Sequence, residues 1–285
     1  MSQRPYRLTR PEPPTTSVVV ASPHSGRAYD WAFLSSSILD SERIRSSEDA
    51  YVDELMADVP SLGAPLLVAE IPRAYIDLNR AECELDPAVV HGVPRGANNP
   101  RISSGLGVIP RVVAQGRAIY RGKITRDEAQ ARIETVWRPY HSQLTALLDE
   151  AQARFGRAIL IDCHSMPHEA IEGAGPRGRT PEIVLGDRFG ASASADITDA
   201  VEGIFAGLGF RVARNVPFAG AYVTQAYGQP EQGRHAIQIE IDRSLYMDEA
   251  TVKPSAHFET VRNLMTEAMA QVCELGRGGR ALAAE

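Results

Sequence analysis

The stretch Ala158-Ile-Leu-Ile-Asp-Cys-His-Ser165 decides the fold class of this chain. It opens with a short apolar run that contains two isoleucines, which is typical of a buried β-strand, and it runs directly into polar residues. Comparable strand-like runs occur at 17–21, 66–71, 182–185, 210–213 and 236–241. Amphipathic helices are predicted at 47–59, 195–208 and 255–275, and one more extends from Thr125 to Gly156. Buried strands that alternate with amphipathic helices predict an α/β protein.

The predicted architecture is a three-layer α/β sandwich with a mostly parallel mixed sheet. The longest predicted helix begins with the capping box Thr125-x-x-Glu128, and Pro139 is expected to kink or split it. Residues 1–15 are rich in proline and predict a flexible N-terminal arm. No shift in composition divides the remainder, so residues 16–285 are predicted to form a single domain.

Composition and charge exclude several classes of protein. The chain has 285 residues, of which 44% are hydrophobic and 23% charged, so it can bury a sizeable core. The formal net charge of −6 argues against a nucleic-acid partner, because phosphates would be repelled. No apolar run approaches the roughly 20 residues that a membrane helix needs. Three cysteines without paired spacing and an N-terminus without an apolar signal region predict a cytoplasmic protein.

Polar residues collect where the predicted strands end. His24 follows the first long run, the segment 73–80 follows the second, His164 follows the third, and Glu240 lies near the end of the last. In open α/β sheets, ligands bind beyond the carboxyl ends of the strands. Two histidines and a carboxylate brought together there would suit a zinc site with one position open for water. A lone histidine is more often structural, and this alternative stays open for His24.

Strand alternation refines the predicted roles. Asp162 and His164 share a face, so Asp162 either orients the imidazole or is an ordinary acid at a strand end. Cys163 points the other way and is predicted to lie in the core. Glu240 belongs to Gln238-Ile-Glu-Ile-Asp242, which is either a half-exposed strand or the support of a general base.

Eight segments resemble the N-formylglutamate amidohydrolase family, and they occur in order from about residue 20 to 250. The segments are Ser22-Pro-His-Ser-Gly26, Arg73-Ala-Tyr-Ile-Asp-Leu-Asn-Arg80, Gly107-Val-Ile-Pro110, Ile119-Tyr-Arg-Gly122, Asp162-Cys-His-Ser-Met-Pro167, Pro217-Phe-Ala-Gly220, Tyr227-Gly-Gln-Pro230 and Gln238-Ile-Glu-Ile-Asp-Arg-Ser-Leu-Tyr246. The resemblance implies a phosphorylase/hydrolase-like fold that is distantly similar to zinc carboxypeptidases and aspartoacylase. It also implies a zinc-dependent hydrolase, with another divalent metal as an alternative, that splits N-formyl-L-glutamate into formate and L-glutamate. This reaction closes one route of histidine degradation.

The resemblance also implies roles for particular residues. The zinc ligands would be His24, Asp49 and His164, with Glu48 or Asp53 as alternatives to Asp49 because the HxxE motif of the distant relatives is absent. Glu240 matches the glutamate that activates the zinc-bound water in those relatives.

The substrate is expected to be a small acidic N-acyl amino acid. The pair Asn79-Arg80 resembles the pair of aspartoacylase that binds a substrate carboxylate and helps polarise the scissile carbonyl. Because N-formylglutamate carries two carboxylates, Arg73, Arg80 and Arg101 are expected to supply the matching charge. Two alternatives stay open: the same chemistry on another N-acyl amino acid or small amide, and a non-catalytic sensor of an acidic metabolite.

Overall fold

A mixed β-sheet of seven strands forms the centre of the computed structural model, which describes residues 4–94, 99–174 and 179–277. The strand order is β1-β3-β2-β4-β7-β5-β6. The strands are β1 (Tyr6–Thr9), β2 (Val18–Ser22), β3 (Leu66–Ala69), β4 (Ala158–Met166), β5 (Ile183–Gly186), β6 (Val212–Arg214) and β7 (Arg234–Asp242). Strands β2, β4 and β7 run parallel, whereas β5 pairs with β7 in antiparallel register and with β6 in parallel. The predicted α/β class with a mostly parallel mixed sheet is confirmed.

The helices that flank the sheet follow the predicted amphipathic pattern in most places. The helices are α1 (Trp31–Ser36), α2 (Val52–Leu55), α3 (Pro100–Ser103), α4 (Arg126–Arg132), α5 (Arg138–Phe155), α6 (Ala195–Gly207), α7 (Tyr222–Tyr227) and α8 (Phe258–Arg277). A short hairpin of β8 (Met247–Asp248) and β9 (Lys253–Pro254) precedes α8. Within the described ranges, no helix is both long enough and apolar enough to cross a membrane.

The fully buried strands β2 and β4 explain why the sequence identified the sheet. Every residue of both strands is buried, and parallel strands covered on both faces consist of nearly continuous apolar residues. Their register pairs Val18 with Ile159 and Ala21 with Asp162. The strands therefore bring the ends of two predicted motifs to neighbouring positions of the sheet.

The long predicted helix contains an irregular turn before Pro139. The Thr125 hydroxyl accepts a hydrogen bond of 3.0 Å from the Glu128 amide, which confirms the predicted cap. Helix α4 ends at Arg132, and a π-helical turn over Ile133–Trp137 connects it to α5. Proline has no amide hydrogen to donate, so a local change in the hydrogen-bond pattern is expected close to it.

The helix predicted over 47–59 is wrong in its extent. The structure has a 3₁₀ turn over Arg43–Ser47, the single helical turn α2 and a second 3₁₀ turn over Val59–Leu62. Tyr51 has a left-handed backbone with φ of 65°, which interrupts any helix that contains it. The acidic residues of this segment do not form a solvated helix face, because Glu48, Asp49 and Asp53 are all buried.

Contacts within the chain divide it into two compact units. One unit comprises Met1–Arg7, Pro23–Ala50 and Val68–Gln143, and the other comprises Leu8–Ser22, Tyr51–Leu67 and Leu144–Glu285. The first has an apolar cluster of its own around Phe33, Ile44 and Ile119, and the second has one around Met166 and Val184. The division into an arm over 1–15 and a single domain over 16–285 stays a prediction.

Candidate active site

His24 lies in the turn that follows β2, and two carboxylates contact its ring. Its Nδ1 is 3.3 Å from Oδ2 of Asp49, and its Nε2 is 2.8 Å from Oδ1 of Asp77. The amide of Asp49 also donates a hydrogen bond of 3.0 Å to the carbonyl of His24. All three side chains are buried. The structure therefore places Asp49 directly beside His24.

Glu48, one of the alternatives to Asp49, is engaged elsewhere. Its carboxylate accepts a hydrogen bond of 2.6 Å from the Tyr29 hydroxyl and one of 3.0 Å from Nε of Arg45. Burial, together with the Glu48 charge, raises the pKa of Tyr29. Within this unit, Asp49 rather than Glu48 is the carboxylate that lies beside the imidazole of His24.

The turn that presents His24 depends on a close backbone approach at Gly26. A Cβ placed on Gly26 would lie 2.1 Å from the carbonyl oxygen of Ile71. We expect Gly26→Ala to lower the free energy of unfolding by about 1–3 kcal/mol, because this contact cannot relax without a backbone shift. Chemical denaturation measures the change. Gly122→Ala is the matched control, since nothing lies within 4 Å of that position. Equal stability of the two variants would contradict the expectation.

Asp77 is a buried acid whose role the sequence did not reveal. Besides His24, its carboxylate accepts hydrogen bonds of 3.0 Å from Nε of Arg73 and 2.8 Å from the amide of Asn79. Burial opposes ionisation, but the charges of Arg73, His24 and Arg80 hold the pKa of Asp77 well below its usual range. Asp77 is thus a carboxylate that fixes the ring of His24. The only signal for it was its position inside the segment 73–80.

Arginines of the same unit form a cluster of positive charge. Arg80 is buried, and it donates 2.9 Å and 2.7 Å hydrogen bonds to the carbonyls of Leu106 and Asn79. Burial lowers the pKa of Arg80, the Asp77 charge opposes this effect, and the charges of Arg73 and Arg101 lower the pKa further. Positive charges that repel one another in this way favour the binding of an anion between them. No hydrogen bond or ion pair of the Arg101 side chain to a described residue is present.

His164 and Glu240 occupy neighbouring positions on adjacent parallel strands. The register of β4 and β7 pairs Asp162 with Gln238 and His164 with Glu240, so all four side chains point to one face. Nε2 of His164 is 2.9 Å from Oδ2 of Asp162, and the Gln238 amide donates a hydrogen bond of 2.8 Å to Oε1 of Glu240. The predicted shared face of Asp162 and His164 is confirmed. Glu240 is buried and not half-exposed.

Cys163 lies in the core as predicted. It is fully buried, and burial together with the Asp162 charge raises the pKa of its thiol well above the usual value. A thiol that resists ionisation is a poor nucleophile. The same end of β4 holds a feature that the sequence did not reveal: Nε of the buried Arg243 donates a hydrogen bond of 3.0 Å to the hydroxyl of Ser165. Both residues lie in the quoted motifs.

His24, Asp49 and His164 form a group that could hold a metal ion. Each offers one ligand atom, and these atoms lie within 4.8 Å of one another. Two imidazoles and one carboxylate are a donor set that zinc binds in catalytic sites. In addition, a tetrahedral ion with bonds of about 2.0–2.1 Å separates its ligands by about 3.3–3.4 Å. The separation of 3.3 Å between Nδ1 of His24 and Oδ2 of Asp49 fits this geometry.

Comparison with known protein families gives the identity of the fold and its chemistry. The family model of N-formylglutamate amidohydrolase matches residues 16–247. The chain belongs to this family. Every candidate site residue lies inside the matched region, and the chain is therefore an amidohydrolase, a hydrolase that acts on amide bonds.

Individual members of the N-formylglutamate amidohydrolase family are similar to this chain over most of its length. The N-formylglutamate deformylase of Pseudomonas aeruginosa is 30% identical over 240 residues, which cover 81% of this chain and 82% of that protein. The N-formylglutamate deformylase of Pseudomonas putida is 28% identical over 239 residues, with the same coverage. The crystal structure of N-formylglutamate amidohydrolase from Ralstonia eutropha superposes with a TM-score of 0.90 at 36% identity, and the match covers 97% of this chain and 100% of that one.

Proposed function

We propose that this amidohydrolase is a zinc-dependent N-formylglutamate deformylase, which converts N-formyl-L-glutamate and water into formate and L-glutamate. The observation that carries the proposal is the buried group of His24, Asp49 and His164, with Glu240 in register beside His164. The names of the Pseudomonas and Ralstonia relatives support the choice of substrate.

The surroundings of both histidines suit a metal ligand. Asp77 contacts Nε2 of His24, and Asp162 contacts Nε2 of His164, and we propose Nδ1 as the ligand atom in each case. A carboxylate on the far nitrogen of a metal-binding histidine fixes its tautomer and increases its basicity. When bound, zinc acts as a Lewis acid and lowers the pKa of a coordinated water toward about 7. Imidazole also suits other transition metals, so another divalent ion is an alternative.

Glu240 performs the proton transfers in the proposed mechanism. Its carboxylate removes a proton from the attacking water, whose oxygen then forms a bond to the formyl carbon. The same carboxyl group returns the proton to the amide nitrogen as the carbon–nitrogen bond breaks, so formate and a free amino group are released. The amide of Gln238 donates to Oε1 of Glu240 and holds the carboxylate in place between these two transfers.

The arginine cluster supplies the charge that an acidic substrate requires. We propose that Arg73, Asn79, Arg80 and Arg101 bind substrate, and that Arg80 also polarises the scissile carbonyl. The charges of Arg73 and Arg101 lower the pKa of Arg80, which supports this assignment, since an added carboxylate would relieve the repulsion among the three arginines. The planar guanidinium group of arginine binds a carboxylate through two parallel hydrogen bonds.

The state of the cysteines bears on the cellular setting. The cysteines Cys83, Cys163 and Cys273 are free thiols, and free thiols are typical of proteins in reducing compartments. We propose a cytoplasmic enzyme of histidine degradation, as the family resemblance implies.

Release of formate from N-formyl-L-glutamate tests the proposed function. We expect zinc-loaded protein to release formate, chelator-treated protein to release none, and added zinc to restore the activity. N-acetyl- and N-carbamoyl-L-glutamate, measured in parallel, test the alternative acyl groups. Bound zinc without formate release would reject the substrate, whereas full activity after complete chelation would reject the metal.

A further inference from the structure

The loop over residues 217–220 lies on the face of the sheet that carries His164 and Glu240. Strand β5 places Gly186 opposite Gln238, on the same face as Glu240. A Cβ placed on Gly186 would lie 2.6 Å from the amide nitrogen of Gly220. The loop backbone therefore rests directly on this face, at a point where only glycine permits so close an approach.

The loop leads into α7, which covers the same face. This helix packs against β7 and β4. Burial raises the pKa of Tyr227 to about 12, and the charges of Tyr222 and Asp162 contribute to the rise, so α7 lies close to the carboxylate behind His164. Residues that contact the 217–220 loop thus lie over the face of the sheet that carries His164 and Glu240.

Arg188 is such a residue. Its amide donates a hydrogen bond of 2.8 Å to the carbonyl of Ala219, and its Cγ would lie 3.3 Å from a Cβ placed on Gly220. The side chain is half-buried, and its guanidinium group forms no hydrogen bond or ion pair with any described residue. A partly buried guanidinium without a counterion is available to bind an anionic ligand.

The backbone at Arg188 is held in a conformation that side chains rarely adopt. Arg188 and Phe189 have φ of 55° and 57°, in the left-handed region. The turn is retained because Asn215 accepts hydrogen bonds from the amides of Asp187 and Phe189 and donates one to the Asp187 carboxylate. Phe189 is 77% exposed, so the turn is not explained by the burial of its ring. Strain of this kind concentrates at ligand sites.

We propose that Arg188 binds the side-chain carboxylate of the substrate and so determines the preference for an acidic amino acid. This inference rests on the proposed function. Val184 is the residue of β5 opposite Glu240, and Arg188 lies four residues beyond it, past the end of the strand. In this role Arg188 is a specificity residue, because it would bind a charge of the substrate that takes no part in breaking the amide bond.

The test compares two substrates that differ only in this charge, N-formyl-L-glutamate and its neutral isostere N-formyl-L-glutamine. For Arg188→Gln we expect kcat/KM on N-formyl-L-glutamate to fall by about 10- to 100-fold, mainly through KM, because a charge-assisted pair is lost. Activity on N-formyl-L-glutamine is expected to be unchanged. Arg211→Gln, which removes the same charge at an exposed position before β6, should leave both activities unchanged. An equal fall on both substrates, or no fall, would overturn the assignment.

Binding of the product separates this inference from the proposed function. Calorimetry with L-glutamate needs no turnover, and we expect Arg188→Gln to weaken binding by at least about tenfold. Wild-type protein that releases formate from neither substrate would reject the proposed function alone. Equal affinity of wild type and variant for L-glutamate, or no binding by the wild type, would reject the role of Arg188.

Discussion

Glu240→Gln is expected to lower kcat for formate release by about 10²- to 10⁴-fold, the usual contribution of a general base. Glutamine has nearly the same shape as glutamate but cannot remove a proton from water. The amide can still contact Gln238, so the local packing of β7 is preserved. Because Glu240 is not among the proposed metal ligands, the zinc content should stay at one ion per chain.

Three measurements make this prediction specific to proton transfer. Steady-state kinetics should show a large fall in kcat with little change in KM, and metal analysis should show full occupancy. Glu231→Gln removes an exposed carboxylate outside the strands, and this control is expected to keep wild-type kinetics. A Glu240→Gln variant with wild-type kcat would show that another group removes the proton.

His164→Ala is expected to abolish zinc binding and activity together. The three-ligand site has one protein ligand from β4, and no other histidine of the chain lies in this strand. A change in a residue that supports a ligand typically lowers metal affinity by about 10- to 100-fold. Loss of a direct ligand should lower the zinc affinity by more than this. Equilibrium dialysis against a zinc buffer measures the affinity directly.

Stability must be separated from metal binding in this variant, since the substitution also leaves Asp162 buried without its imidazole partner. The appropriate reference is therefore metal-free wild-type protein, and we expect His164→Ala to have the same far-UV circular dichroism spectrum as this reference. His257→Ala removes an exposed histidine and should keep zinc and activity. Retention of one tightly bound zinc by a folded His164→Ala chain would exclude His164 as a ligand.

Much of the sheet could be predicted because each strand carries its own signal. The apolar runs at 17–21 and 158–161 are buried on both faces, and burial on both faces requires continuous apolar residues. The alternation of Asp162, Cys163 and His164 was likewise predictable, since side chains of a strand point to opposite faces in turn. The prediction of a continuous helix over 47–59 was wrong because Tyr51 adopts a left-handed backbone conformation, which the residue pattern did not indicate.

The side-chain contacts of the acidic segment 48–53 could not be predicted from local patterns. Glu48, Asp49 and Asp53 are chemically similar, and the prediction of Asp49 therefore left Glu48 and Asp53 open as alternatives. The fold places Asp49 beside His24 and engages Glu48 with Tyr29 and Arg45. The segment has little regular structure, so its side-chain directions depend on packing against distant residues.

Local sequence patterns were sufficient to predict the α/β class, the motifs at the strand ends and the histidines that we assign to the metal. The contact between Asp77 and His24, which are 53 residues apart in the chain, became known only from the folded structure. The same is true of the position of Arg188, whose Cγ would lie 3.3 Å from a Cβ placed on Gly220. Periodicity reports the local environment of a strand or helix, whereas contacts between irregular segments depend on how the whole chain folds.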